Sequence, residues 1–152
     1  MDRRLPALLT ALACVVILTA GGCRGRAATG KSETVVHQLP SGWTIALGPE
    51  FSRANETSAI VFTAGNRAVR ASIPASPADA RRAIDQLSVV PAVYKQGRKT
   101  ANIYDVPPNR KTAFVFFEEE AILRLDMTFA STGDGKWADD VVLSTRRAIR
   151  KR

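Results

Sequence analysis

The chain has 152 residues, of which 22 are lysine or arginine and 14 are aspartate or glutamate, which gives a formal net charge of +8. Residues 40–145 contain 12 basic and 12 acidic side chains, so the excess positive charge lies at the two ends. Nucleic-acid binders usually carry a basic stripe on a folded face, and this distribution therefore argues against nucleic acid as a partner.

The first 22 residues have the three parts of a secretory signal. A start with two arginines precedes an uncharged apolar stretch, residues 5–18, and small residues follow at positions 19–22. The apolar stretch is shorter than the roughly 20 residues that a transmembrane helix needs. We therefore expect residues 1–22 to be a cleaved export signal, with a short uncleaved anchor as the alternative.

The stretch "TAGGC", residues 19–23, resembles a bacterial lipobox, with Ala20 at the position where that motif prefers leucine. The resemblance implies cleavage between Gly22 and Cys23 by the lipoprotein signal peptidase, and lipid attachment to the Cys23 thiol. Cleavage by the ordinary signal peptidase is the alternative. Cys14 would leave with the signal, and a single exported cysteine is unusual unless it is modified.

This interpretation predicts an exported protein that is lipid-anchored to a bacterial membrane. The anchor would lie on the periplasmic face of the outer membrane in a Gram-negative cell, and otherwise on the outer face of the cell membrane. Residues 23–34 are predicted to be a flexible tether. Basic residues near an anionic leaflet contribute about 1 kcal/mol each. We therefore expect the membrane to be a partner through the lipid and through the basic ends, with stabilisation of a C-terminal helix as the alternative role of the last cations.

Residues 35–152 are predicted to form a single α+β domain with a basic C-terminal end. "GWTIAL" alternates apolar and polar residues and indicates a strand, and residues 59–73 indicate a hairpin that turns at Gly65-Asn66. "SPADARRAIDQLS" indicates a helix, since Ser76 suits the N-cap and Pro77 the first helical position.

Strands are predicted again at residues 92–96 and 100–106, with a break near Gly97. "TAFVFFE" and "AILRLDMTF" indicate a long hairpin, and a final helix is predicted over residues 137–149 with arginines in its last turn. We expect both helices to cover the sheet face that carries Leu123 and Leu125. The opposite face would then be more open, as is common in antiparallel sheets.

The order of elements, with "GWTIAL" near the start and "AILRLDMTFA" followed by "KWADDVVLSTRRAI" near the end, resembles the PsbP-like superfamily over residues 35–149. This chain has Leu39-Pro40 where a "YP" pair is expected before the tryptophan strand. The resemblance implies an antiparallel β-sheet flanked by two helices, as an α/β/α sandwich. It also implies a binding or assembly role rather than catalysis.

No catalytic residue, metal or cofactor is predicted. His37 is the single histidine and lies at the start of the domain, where we expect an exposed strand-edge position. "ASTGDGKW" lacks the spacing of a phosphate-binding loop, and one histidine without a free thiol does not provide a usual zinc ligand set. The alternative is a small envelope hydrolase that uses carboxylates alone, with Asp105 and Asp126 as candidates.

The residues proposed to contact a partner are aromatic side chains and an acidic turn. Trp43 is a candidate for lining an apolar pocket, although such residues more often belong to the core. The acidic run lacks the shaped set of oxygens that Ca²⁺ requires, so we interpret it as an exposed hairpin tip. The six candidates are Trp43, Phe114, Phe116, Glu118, Glu119 and Glu120. The sequence thus predicts a lipid-anchored, non-enzymatic binding or assembly module for an envelope protein or a small apolar ligand.

Overall fold

The computed structural model describes residues 33–118 and 121–148. The predicted signal peptide, the lipid attachment site at Cys23, nearly all of the tether, Glu119, Glu120 and the last four residues lie outside these ranges. Within the described ranges, no helix combines the length and the apolar composition needed to cross a membrane.

The described residues form ten strands and two α-helices. The strands are β1 (Val35–Gln38), β2 (Trp43–Leu47), β3 (Ser52–Asn55), β4 (Ala59–Ala64), β5 (Arg67–Ser72), β6 (Ala92–Gln96), β7 (Lys99–Val106), β8 (Arg110–Phe117), β9 (Ala121–Thr128) and β10 (Arg146–Arg147). The helices are α1 (Pro77–Asp85) and α2 (Gly135–Ser144), and 3₁₀ turns lie at Pro40–Gly42 and Thr132–Asp134.

Seven strands form one antiparallel sheet in the order β3-β4-β5-β9-β8-β7-β6, and three form a small sheet in the order β1-β2-β10. The predicted α+β class, an antiparallel sheet flanked by helices, is confirmed. The hairpin turns at Gly65 and Gly97 are also confirmed, and both glycines have positive φ angles of 54° and 58° that favour glycine. The strands β3 and β10 were not predicted, because their segments are short and mostly polar or exposed. His37 lies on an edge strand, β1, as expected, but it is half-buried rather than exposed.

The main core lies on one face of the seven-stranded sheet, which we call the inner face. Leu123, Leu125 and Met127 of β9 point into it and are fully buried, because alternate residues of a strand share a face. The helix α2 and the inward residues of β2 cover them. Truncating a buried leucine in such a core costs about 2–5 kcal/mol.

The other face of the sheet, which we call the α1 face, has a smaller core. Ala80 of α1 packs there with Tyr104 and Phe114, while Phe116 and Ile122 are half-buried. The prediction that both helices cover the inner face is therefore wrong, because the apolar stripe of α1 packs on these aromatic residues instead. The predicted start of α1 is confirmed, since Ser76 Oγ accepts a hydrogen bond from the Asp79 N–H at 3.1 Å.

The C-terminal helix differs from the prediction at both ends. It begins at Gly135 and ends at Ser144, and Thr145 has an extended backbone with φ −61° and ψ 139°. Thr145 Oγ1 donates to the Val142 carbonyl at 2.7 Å, and Arg146 then pairs with Thr44 of β2. The expectation that the arginines occupy the last turn of this helix is therefore wrong for Arg146 and Arg147, because strand pairing with β2 replaces the helix.

Candidate functional site

A cavity of about 500 Å³ lies at the end of the sheet where β7 turns into β8. The turn residues Pro107 and Pro108 form one side, Phe129 forms part of the wall, and Gly135 at the start of α2 lies opposite. Pockets for small molecules usually have volumes of about 300–1,000 Å³ and mainly apolar walls. The size and lining of this cavity therefore suit a small ligand.

Lys111 is the most buried charged group in the cavity wall, with 12% of its side chain exposed. Its Nζ donates to Asp139 Oδ1 at 2.6 Å and lies 3.3 Å from Asp105 Oδ1. The side chain passes beneath the first turn of α2, where a Cβ at position Gly135 would lie 3.6 Å from the lysine Cε. These contacts fix the ammonium group at one position.

The pKa of Lys111 reflects a competition between burial and ion pairing. Burial by itself lowers the pKa, because it disfavours the charged form. Hydrogen bonds and charge attraction from Asp139 and Asp105 outweigh this effect and raise the pKa above its usual value of 10.5. Lys111 is therefore a permanent cation over the physiological pH range.

The fold assembles this triad from three elements. Asp105 lies directly opposite Lys111 in the β7–β8 ladder, so their side chains share the inner face. Asp139 lies in the second turn of α2, which packs against β8 and β7. The two carboxylates thus reach the same ammonium from the sheet and from the helix.

The mouth of the cavity also has cations that are less firmly held. Arg110 is exposed, and Nη2 makes one long hydrogen bond of 3.5 Å to the Pro107 carbonyl. No carboxylate in residues 33–118 and 121–148 forms an ion pair with Arg110. Lys136 pairs with Asp140 at 3.0 Å, but both side chains are mostly exposed, and such pairs contribute little. The mouth therefore offers Arg110 as a donor for an anionic group.

The structure places the predicted interaction residues elsewhere. Trp43 is fully buried in the main core, Phe114 is fully buried beneath α1, and Phe116 is half-buried on the α1 face. Glu118 is exposed and pairs with Arg98, while Glu119 and Glu120 lie outside the described residues. None of the described candidates lines the cavity.

The two carboxylates named for a hydrolase do not meet. Asp105 lines the cavity on the inner face. Asp126 lies on the α1 face, where Thr112 Oγ1 donates to it at 2.9 Å and Arg124 pairs with it. The structure instead brings Asp105 together with Asp139.

Lys111, Arg110 and Asp139 were not among the site residues predicted from the sequence. One signal for Lys111 was present in "RKTAFVFF": alternate residues Lys111, Ala113 and Val115 share one face of β8. A lysine in an otherwise apolar, inward-facing row needs a partner, because burying an unpaired charge is costly. Arg110 and Asp139 carry no comparable local signal.

His37 is half-buried on β1, and its ring centroid lies 4.8 Å from that of Phe62. Its Nε2 is buried and has no hydrogen-bond partner in the described part of the chain. Burial, with a smaller contribution from the charge of Arg53, lowers the pKa of His37 below 6.5. Among the described residues there is no cluster of three or more side chains suited to holding a metal ion.

Comparison of the chain with protein-family profiles gives no match, and comparison with curated proteins gives no significant match.

Proposed function

We propose that this domain is a non-enzymatic binding module, and that its cavity binds a small molecule with an apolar body and one anionic group. The observation that carries the proposal is a cavity of about 500 Å³ that is lined by Val106, Pro107 and Phe129 and by Arg110, an arginine without a carboxylate partner among the described residues.

The apolar part of such a ligand would lie against Val106, Pro107 and Phe129. Burial of apolar surface contributes about 25 cal/mol per Å². The anionic group would meet Arg110, whose guanidinium can donate two parallel hydrogen bonds to a carboxylate. Lys111 would keep the wall rigid, because its ammonium group already forms ion pairs with Asp105 and Asp139.

A matched pair of probes tests this proposal: 2-naphthoate and the neutral 2-naphthalenemethanol, titrated calorimetrically into the full-length chain. We expect the acid to bind more tightly than the alcohol. The variant Arg110→Gln should weaken binding of the acid about tenfold, which corresponds to the loss of one charged hydrogen bond. Binding of the alcohol should not change.

Arg81→Gln is the matched control, because Arg81 is an exposed arginine on α1 and does not line the cavity. Equal effects of the two variants, or equal affinity of the wild-type chain for both probes, would contradict the proposal.

We also propose that the domain is anchored to a bacterial membrane through lipid on Cys23, after cleavage behind Gly22. The support is the lipobox-like stretch and the absence of any other cysteine after position 23. Labelling cells with a radioactive fatty acid should mark the wild-type protein and leave Cys23→Ala unlabelled. A soluble, unlabelled wild-type protein would contradict the anchor.

The resemblance to PsbP-like proteins agrees with a binding role and stays a prediction.

A second candidate function is hydrolysis by carboxylates, because Asp105 and Asp139 converge on Lys111 in the cavity. A carboxylate pair that works as acid and base needs two different protonation states. Here a shared ammonium joins the two groups as an ion-pair triad, so we favour the binding role. Esterase or glycosidase activity in wild type that disappears in Asp139→Asn would instead support the hydrolase.

A further inference from the structure

The two edges of the seven-stranded sheet expose different side chains. The edge strand β3 is exposed at every residue, and its sequence, Ser-Arg-Ala-Asn, is mostly polar. The other edge strand, β6, is also exposed along its whole length, but it presents Val93 and Tyr94 to solvent. The segment that leads into β6 adds Val89 and Val90, of which Val90 is 93% exposed. Four of the six large apolar residues that are exposed in the described part of the chain therefore lie at one edge of the sheet.

An open sheet edge carries unpaired backbone N–H and C=O groups, which can pair with a strand of another chain. Proteins usually prevent such pairing with short, polar or charged edge strands, and β3 fits this description. The apolar side chains of β6 are instead typical of an edge that accepts a further strand.

The β6–β7 hairpin determines which backbone groups of β6 are open. Gln96 pairs with Lys99 across a two-residue turn, in which Gly97 has the positive φ of 58° that a type II′ turn requires. The residues that flank such a turn form a hydrogen-bonded pair, and hydrogen-bonded and non-hydrogen-bonded pairs alternate along the ladder. Alternate residues back from Gln96 therefore bond to β7, whereas Val93 and Lys95 point their backbone groups at the open edge.

We propose that β6 pairs antiparallel with β6 of a second copy of this chain, about a two-fold axis at Tyr94. Val93 of each copy then lies opposite Lys95 of the other, so the outward N–H and C=O groups of both strands are paired. Tyr94 lies opposite itself, and an aromatic cross-strand pair contributes about 0.2–1 kcal/mol. The edge is thus complementary to itself, as a closed two-fold dimer requires.

The neighbouring registers are less favourable, which selects the axis at Tyr94. An axis at Lys95 would place the two ammonium groups directly opposite each other, and like charges in this position are destabilising. An axis at Val93 would place Pro91 opposite Lys95, and proline has no N–H to donate to the ladder.

The charges near β6 also agree with a second copy. Tyr94 lies opposite the inward, buried Ala101, so its neighbour Lys95 lies on the α1 face. Burial and, to a smaller extent, the charge of Asp85 raise the pKa of Tyr104, which places the Asp85 carboxylate on the same face. Neither Lys95 nor Asp85 forms an ion pair within the described part of the chain. The two-fold pairing brings the lysine of one copy to the face that carries the carboxylate of the other.

Cysteine cross-linking tests the register. In the full-length chain with Cys14→Ala and Cys23→Ala, the variants Tyr94→Cys and Gln96→Cys each place one thiol on the same face of β6. Position 94 lies opposite itself in a non-hydrogen-bonded pair, with Cα atoms about 4.5 Å apart, which suits a disulfide. Position 96 lies opposite position 92, so its two thiols are about 13 Å apart along the strands.

We expect mild oxidation to cross-link the Tyr94→Cys chain into dimers and to leave the Gln96→Cys chain largely monomeric. Equal cross-linking of the two variants, or no cross-linking of Tyr94→Cys, would overturn the proposal.

Sedimentation equilibrium of the full-length chain measures the affinity. The strand β6 has five residues, so the interface is smaller than the roughly 800 Å² per partner of a standard complex, and we expect a reversible dimer. Val93→Lys sets an added ammonium group opposite Lys95 twice in each dimer and should weaken association about tenfold. A second change, Lys95→Glu, should restore association, because the added lysine then meets a carboxylate.

Val36→Lys is the matched control, because Val36 is a similarly exposed valine on β1, the edge strand of the small sheet. It should leave association unchanged. Equal effects of Val36→Lys and Val93→Lys, or no restoration by Lys95→Glu, would contradict the pairing. A wild-type chain that stays monomeric at its highest soluble concentration would overturn it and leave this edge to a strand of a different protein.

Discussion

Two lysines on the inner face of the sheet lie at opposite ends of α2 and show opposite behaviour. Lys111 lies near the start of the helix, and its ammonium contacts the carboxylates of Asp139 and Asp105. Lys99 lies near the end of the helix, and its Nζ donates to the carbonyls of Leu143 and Thr145 at 2.9 and 3.0 Å. Both side chains are largely buried.

Their pKa values move in opposite directions because their partners differ. Burial, followed by repulsion from Arg146, lowers the pKa of Lys99 from 10.5 to about 8. Arg146 donates to the same two carbonyls, at 2.6 and 2.9 Å. Lys111 has carboxylate partners, and its pKa is raised. Lys111 therefore stays charged and holds two carboxylates in the cavity wall, whereas Lys99 mainly satisfies the C-terminal carbonyls of α2, as helix ends require.

The largest expected effect comes from Lys111→Met. Asp139 is partly buried, and removal of the ammonium leaves its carboxylate without the ion-pair partner. The loss of this ion pair should destabilise the protein by about 2–3 kcal/mol. Urea unfolding at pH 7 measures the change. Lys136→Met is the control on α2, the helix that carries Asp139, and the exposed pair of Lys136 with Asp140 should contribute less than about 1 kcal/mol. A Lys111→Met variant as stable as the wild type would break the comparison.

The next effect is a pH dependence that belongs to Lys99. The unfolded chain keeps the lysine proton up to about pH 10.5, whereas the folded chain releases it near pH 8. Between these values the unfolded state binds more protons, so stability rises with pH by linkage. The stability of the wild type relative to Lys99→Met should therefore rise by about 2–3 kcal/mol between pH 7 and 10.5. A constant difference across this window would show that the pKa of Lys99 is not lowered.

At pH 7 itself, Lys99→Met should cost only about 1 kcal/mol, because two hydrogen bonds are lost and the cost of burying the charge is removed at the same time. Thermal unfolding at pH 7 measures this. Lys95→Met is the control, since Lys95 is exposed on the edge strand β6. A loss larger than that in Lys111→Met would reverse the order that the two sets of partners predict.

The smallest expected effect concerns His37, a half-buried residue whose Nε2 is buried and has no hydrogen-bond partner among the described residues. Its folded pKa lies below 6.5, so the unfolded state binds more protons below that value, and stability is lost as the pH falls. Wild type should lose slightly more stability than His37→Phe between pH 7 and 5. No other histidine exists in the chain to obscure the difference. Parallel curves for the two proteins would contradict the lowered pKa.

Local patterns predicted most of the elements. The alternation in β9 and the Ser76 cap of α1 depend on neighbouring residues alone, and both were confirmed. The end of α2 was not predictable in this way, because "TRRAI" continues a helical pattern until pairing with β2 replaces it.

The cavity was not predictable either, because it depends on contacts between distant segments. Asp105, Lys111 and Asp139 come from two strands and a helix, and only the packed fold brings them together. Asp126 illustrates the same limit, since its place on the opposite face follows from the register of β8 with β9.

The most direct test of the binding cavity is to map where 2-naphthoate binds. Backbone amide shifts of the ¹⁵N-labelled full-length chain are followed during a titration with this acid. The account predicts saturable shifts concentrated at the β7–β8 turn, around Lys111, and at the start of α2 near Gly135, with the Trp43 indole signal unchanged. Shifts concentrated on the α1 face around Phe116, or no saturable shift at all, would contradict it.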